Sequence, residues 1–202
     1  MRKLVPCTVL AVLVVVGAVM ASSASAASGG GCQLQGTASF SPPLTNTAQA
    51  FSYGFTGALS SCQSSVAGSP TSGAVEAGQV VTDPSGEQFQ EPVPTGNGTC
   101  GNGTTQGTAI ANWADGTATV INYTTDSVAA AVHLAGTVAP SVTLPAINPQ
   151  PGQPTSKTIT TTRYAGDSAL GLLAFQADPT QCAGSGVSSA GISGTVGLGS
   201  QN

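Results

Sequence analysis

In this chain of 202 residues, 27 glycines and 13 prolines interrupt the sequence every few positions. Glycine costs a helix interior about 1 kcal/mol relative to alanine, and proline about 3 kcal/mol. A long helix therefore has no uninterrupted stretch in which to form beyond the N-terminal segment. No later stretch holds a helical apolar period for more than two turns. Short apolar runs recur instead between turn signals, the pattern of a β-sandwich or barrel.

The clearest runs flank Asp115-Gly116, with 109–113 leading in and 117–123 leading away. Asp-Gly between two such runs predicts a hairpin with a type I′ turn. The run 128–138 follows, with Val128, Ala130, Val132 and Leu134 on one face, so the three runs predict a meander. Earlier, 35–40 and 51–59 make a second pair across a loop holding Pro42 and Pro43, and 75–81 precedes the turn Asp83-Pro84-Ser85-Gly86. Further strands are expected near 158–164, 169–176 and 187–198, the last with bulges at Gly191, Gly194 and Gly197. Gln35-Gly36-Thr37-Ala38 is echoed by Gln106-Gly107-Thr108-Ala109, each after a cysteine. The echo reads as a weak internal repeat or as coincidence in a chain rich in these residues.

Residues 1–26 read as a signal peptide. Arg2 and Lys3 precede an apolar run from 4 to 20, and Ala24-Ser25-Ala26 has the small-x-small form of a cleavage site. As a membrane anchor the run is short, and no Lys or Arg cluster follows it. Its removal leaves 176 of the 202 residues, 27–202, the size of one secreted domain with a real core. The segment 145–154 holds Pro145, Pro149, Pro151 and Pro154. It reads as a stiff exposed loop, because the chain beyond it is too small to hold a core alone.

Losing Arg2 and Lys3 takes the formal net charge from −4 to −6 and leaves only Lys157 and Arg163 as cations. Two cations cannot neutralise a run of phosphates, so nucleic acid is an unexpected partner. The same shortage argues against anionic lipid surfaces. A disordered chain would be richer in charge and poorer in aliphatic residues.

Removal of Cys7 leaves Cys32, Cys62, Cys100 and Cys182, an even set in an oxidising compartment. Three pairings are open. Cys32–Cys62 with Cys100–Cys182 is favoured, because the first two flank one local β unit. The gaps are too wide for a zinc site. A lipoprotein reading of Gly29-Gly30-Gly31-Cys32 lacks the Leu-like residue at its start.

Candidate chemistry is sparse. The single histidine, His133, faces away from Val132 and Leu134 by strand alternation, with no positioned nucleophile beside it. No Gly-x-Ser-x-Gly elbow occurs in 27–202. Glu76, Asp83, Glu87 and Glu91 surround a turn, where they read as solubilising or, less readily, as calcium ligands. Sugar-binding β-folds use exposed aromatic planes beside polar side chains, and Trp113, Tyr53, Tyr123 and Tyr164 are the aromatic candidates, with Trp113, near a strand end, and Tyr123 the favoured ligand contacts. The competing reading of a lone Trp in a β-fold is a core residue. No catalytic, cofactor-binding or metal-ligating residue is assigned.

The alanine-rich signal, the charge-poor Gly/Thr/Ser-rich strands and the paired cysteines resemble the uncharacterised small secreted all-β proteins of actinobacteria. That resemblance implies a bacterial exported protein and carries over no functional residue. The expected fold is an antiparallel β-sandwich, or a flattened barrel, with two disulfides and negligible helix. The expected role is a non-catalytic extracellular or cell-surface module that binds an unidentified ligand, without a cofactor. The alternatives are a polysaccharide hydrolase using a carboxylate pair and a surface coat component assembling through strand edges.

Overall fold

A computed structural model describes residues 29–199. The expected signal peptide and Cys7 lie outside the described residues. In chain order the elements are β1 (Gly29–Leu44), β2 (Gln49–Ser64), β3 (Gly73–Ala77), β4 (Val80–Thr82), β5 (Gln88–Gln90), β6 (Thr95–Gly98) and β7 (Asn102–Trp113). There follow β8 (Ala118–Val128), β9 (Ala131–Ala139), β10 (Ser141–Pro145), β11 (Ser156–Thr160), β12 (Ser168–Gln176), α1 (Pro179–Ala183) and β13 (Val187–Gly199).

The wall order is β1-β13-β12-β9-β8-β7-β3-β2, every pairing is antiparallel, and β2 pairs back onto β1. The result is a closed eight-strand barrel, which corrects the expectation of a plain sandwich. Closure follows from the length of β1 and β2, 16 residues each. They pair from Gly30–Ser64 to Ser41–Ser52, while the other edge of β1 pairs with β13. The runs 35–40 and 51–59 capture only the middle of these strands, and so miss the edges that close the sheet. Closure pairs the wall strands on both sides, and open strand edges remain only in the two outer two-stranded sheets among the described residues.

One wall position is divided. β3 lies between the upper parts of β2 and β7, and β6 lies between their lower parts. The chain leaves the wall at Gly78, whose φ is +72°, and returns at Pro94, whose carbonyl accepts from Tyr53 N–H. The predicted strand 75–81 is therefore two strands, β3 in the wall and β4 outside it. The excursion forms a β4–β5 hairpin, and β10–β11 forms a second one beside it, joined by a Phe89–Ala146 bridge. These hairpins bury Phe89 and Leu144 against outward-facing Ile110 of β7, making a small second core outside the barrel. The 145–154 segment is the tip region of β10–β11.

Among the described residues, both cations serve this framework. Lys157 Nζ sits 5.7 Å from the Phe89 ring centroid. Arg163 pairs with Asp115 at 2.5 Å, and also donates to Thr117 Oγ1 and Ser69 Oγ.

Three local predictions need correction. At the β7–β8 hairpin, Gly116 N–H donates to Trp113 C=O and Trp113 N–H donates to Thr117 C=O. Only Gly116 among the turn residues has positive φ, so the turn is a type I turn closed by a glycine bulge, and not type I′. The run 128–138 is broken by a two-residue turn, since Val128 ends β8 and pairs with Ala131. Gly191, Gly194 and Gly197 make no bulge, because β13 stays in continuous register with β1 and β12 there. Gly194 instead allows close approach, since a Cβ would collide with the Leu172 carbonyl.

Candidate functional site

Alternation along eight strands points one face of each into the barrel. Leu34, Leu59, Val75, Ala109, Ala111 and Leu173 contribute to one buried cluster, flanked by Ile121, Val132 and Leu134. Two inward glycines make room for rings from neighbouring strands. A Cβ on Gly36 would meet the Phe55 ring at 2.6 Å, and one on Gly107 would lie 2.9 Å from the Tyr123 hydroxyl. The Gln-Gly-Thr-Ala echo thus places an inward glycine under an aromatic ring on both β1 and β7.

The ends are closed differently. At the upper end Trp113 packs edge-on against Tyr164, with ring centroids 5.8 Å apart, and its Nε1–H donates to Thr119 Oγ1 at 2.9 Å. Cys32–Cys62 joins β1 to β2 there. At the lower end the rings of Phe40, Phe51 and Phe175 cluster beneath Tyr53. Cys100–Cys182 ties the β6–β7 turn to α1 beside them. These are the two pairs that the sequence favours, and the Cys32 sulfur is held inside the protein.

Between these ends a cavity of about 190 Å³ remains. Its lining runs from exposed Gln63 at the upper rim to exposed Ala129 at the lower rim. Apolar side chains dominate it, with Gln63, Thr99, Ser127 and Tyr164 among its polar members and a chain of four hydroxyls within it. Tyr123 Oη lies 2.6 Å from Tyr53 Oη, Tyr53 Oη 3.1 Å from Thr105 Oγ1, and Thr105 Oγ1 2.7 Å from Thr125 Oγ1. Burial pushes both phenols above the usual tyrosine range, so they stay protonated and able to donate.

Trp113 and Tyr123 therefore both line this one cavity, from inside the barrel and not from an outer surface. Tyr53, an aromatic candidate from sequence, joins them, whereas Thr105 and Thr125 carry no sequence assignment. Their alternation with Ala109 on β7 and with Tyr123 on β8 is the signal that identifies them.

The other candidates lie elsewhere. His133 is exposed on the outer wall, directly opposite Asp126, over a shallow groove with Gln106 and Thr124. The Asp83 carboxylate accepts from Ser85 N–H, Ser85 Oγ–H and Glu87 N–H, so it is committed to its own turn. Hydrogen bonding to Ser85 holds it below the usual aspartate range. Glu91 is 1 % exposed at the base of the β4–β5 hairpin, where Oε2 accepts from Gln79 N–H at 3.0 Å and Oε1 has no partner among the described residues. Burial, reinforced by nearby Glu76, raises its carboxyl above the usual range. Among the described residues no carboxylate or histidine lines the barrel cavity, and no cluster of three potential metal ligands is found.

Comparison of the chain with protein families, with curated proteins and with solved structures yields no match.

Proposed function

We propose that this protein is an exported, non-catalytic carrier or sensor that holds a small apolar molecule inside its barrel. The observation that carries this reading is the apolar cavity of about 190 Å³ enclosed by the wall. An eight-strand barrel is just wide enough for its side chains to fill the interior or to leave room for one small ligand. A cavity of roughly 150 Å³ accepts benzene when its lining is apolar. Leaving about 190 Å³ empty costs on the order of 4–5 kcal/mol at about 24 cal/mol per Å³, and an apolar occupant recovers part of it.

Export is supported by the cleavage pattern at 24–26 and by two disulfides, which fit an oxidising compartment. Among the described residues no helix is long and apolar enough to cross a membrane. The outer wall of β7 and β8 carries exposed Thr104, Gln106, Asn122, Thr124 and Asp126, the reverse of a lipid-facing barrel. Among the described residues Arg163 is paired with Asp115, and Lys157 alone supplies too little positive charge to hold a run of phosphates. The cavity lining supports binding over glycan hydrolysis, which needs a carboxylate pair.

The test is thermal unfolding with and without indane, a neutral bicyclic hydrocarbon. Saturating indane is expected to raise the Tm of the wild-type protein, and the cavity-filling variant Ala109→Leu to abolish that rise. No rise in the wild type, or an equal rise in both, overturns the reading.

A further inference from the structure

We infer that the ligand is a small neutral molecule bearing one carbonyl oxygen, and that the Tyr123 hydroxyl donates to that oxygen. This rests on the interior of the barrel being the binding site. The four hydroxyls of Tyr123, Tyr53, Thr105 and Thr125 hold four O–H protons but make only three hydrogen bonds among themselves. The chain therefore leaves one donor over, and it lies at an end when all three bonds point the same way.

The two ends differ. Thr125 is followed on the same face of β8 by Ser127, then by exposed Ala129 at the rim. Water at the rim can donate to Thr125, and each hydroxyl then donates to the next. Tyr123, at the other end, belongs to the buried apolar cluster with Ala109 and Leu173. A spare O–H there faces apolar side chains, where an unmade hydrogen bond is costly, so without an acceptor beside Tyr123 the bonds run toward Thr125 and the rim, and an acceptor oxygen beside Tyr123 reverses them. The reversed chain presents that acceptor with a phenol, a better donor than an aliphatic hydroxyl.

The charge of the ligand follows from what is missing around it. Among the described residues the cavity lining holds no lysine, arginine, histidine, aspartate or glutamate. A carboxylate or an ammonium would enter unpaired, at a cost well beyond what one phenol returns. A single acceptor oxygen on an apolar body matches one donor on an apolar wall.

The probes are 1-indanone and indane, which share a skeleton and differ by one carbonyl. Dissociation constants are measured for the wild type, Tyr123→Phe and Thr104→Val, an outer-wall control, together with the carbonyl stretch of bound 1-indanone. Tyr123→Phe is expected to weaken 1-indanone about 3- to 10-fold and to leave indane within about twofold. Thr104→Val is expected to leave both probes within about twofold. In the wild type the carbonyl stretch should fall below its value in an alkane solvent, and return toward that value in Tyr123→Phe. An equal effect of Tyr123→Phe on both probes, or on neither, overturns the inference while the cavity reading stands. Failure of the wild type to bind either probe overturns both. If Tyr123→Phe does not fold, the wild-type infrared band decides, and an unshifted carbonyl overturns the inference.

Discussion

Gly107 and Tyr123 are directly paired across β7 and β8, and a Cβ placed on Gly107 would lie 2.9 Å from the Tyr123 hydroxyl and 2.7 Å from Pro94 Cβ. The phenol reaches Tyr53 only because β7 carries no side chain at that position. Gly107→Ala is expected to push the Tyr123 ring out of its bond with Tyr53 and to crowd Pro94 in the wall. Overpacking of this kind costs roughly 1–3 kcal/mol. Denaturant unfolding checks it, and Gly116→Ala, in an open turn, serves as a control that tests backbone strain alone.

The two disulfides should contribute unequally. They close loops with sequence separations of 30 and 82. In the chain-entropy description these correspond to about 3.5 and 4.5 kcal/mol. Replacing Cys100 and Cys182 together by alanine should therefore destabilise more than replacing Cys32 and Cys62. It should also loosen α1, which packs over the lower aromatic cluster, so amide exchange in 179–183 should accelerate selectively.

Glu91 gives the protein a pH dependence of definite sign. Its carboxyl is raised mainly by burial, while the Gln79 N–H pulls the other way. A group raised in the folded state favours folding when protonated, and that contribution is lost as pH rises through its folded value. Stability should therefore fall as pH rises above the ordinary glutamate range. Glu91→Gln should flatten the slope and gain about 1 kcal/mol or more at neutral pH, since it removes a buried charge whose Oε1 has no partner among the described residues. Denaturant midpoints across pH 4–8, a range spanning roughly the shift expected for a buried carboxyl, measure both effects.

Ala129 holds a φ of +54° at the first position of the β8–β9 turn. A two-residue turn with positive φ at its first position is the II′ geometry, which favours glycine there. Ala129→Gly should stabilise by about 1 kcal/mol. Paired unfolding curves would reveal the gain.

Ala129 also explains what could be read from the sequence. A turn made of Ala-Ala carries no turn residue, so the third run of the meander begins at Val128 in the sequence and at Ala131 in the structure, whereas Asp115-Gly116 marks its hairpin correctly as to place. Alternation correctly sent His133 outward and Val132 and Leu134 inward. Barrel closure was not legible, because it depends on the register of β1 with both β2 and β13, and neither pairing leaves a local pattern. The split of one wall strand into β3 and β6 was hidden because Val80 and Val81 continue the apolar run of Val75 after Gly78 has turned the chain outward. Trp113 and Tyr123 were chosen as aromatic residues on strands, but their shared cavity arises only when β7 and β8 curl into a closed wall.

The most direct measurement of the central claim is a titration of the methyl-labelled protein with indane, followed by nuclear magnetic resonance. The barrel-binding account predicts shifts confined to cavity-lining methyls, those of Leu34, Val132 and Leu173, with Leu172 on the outer face of β12 and Val80 in the outer hairpin unmoved. Shifts at Leu172 and Val80 with the cavity-lining methyls unchanged would contradict it.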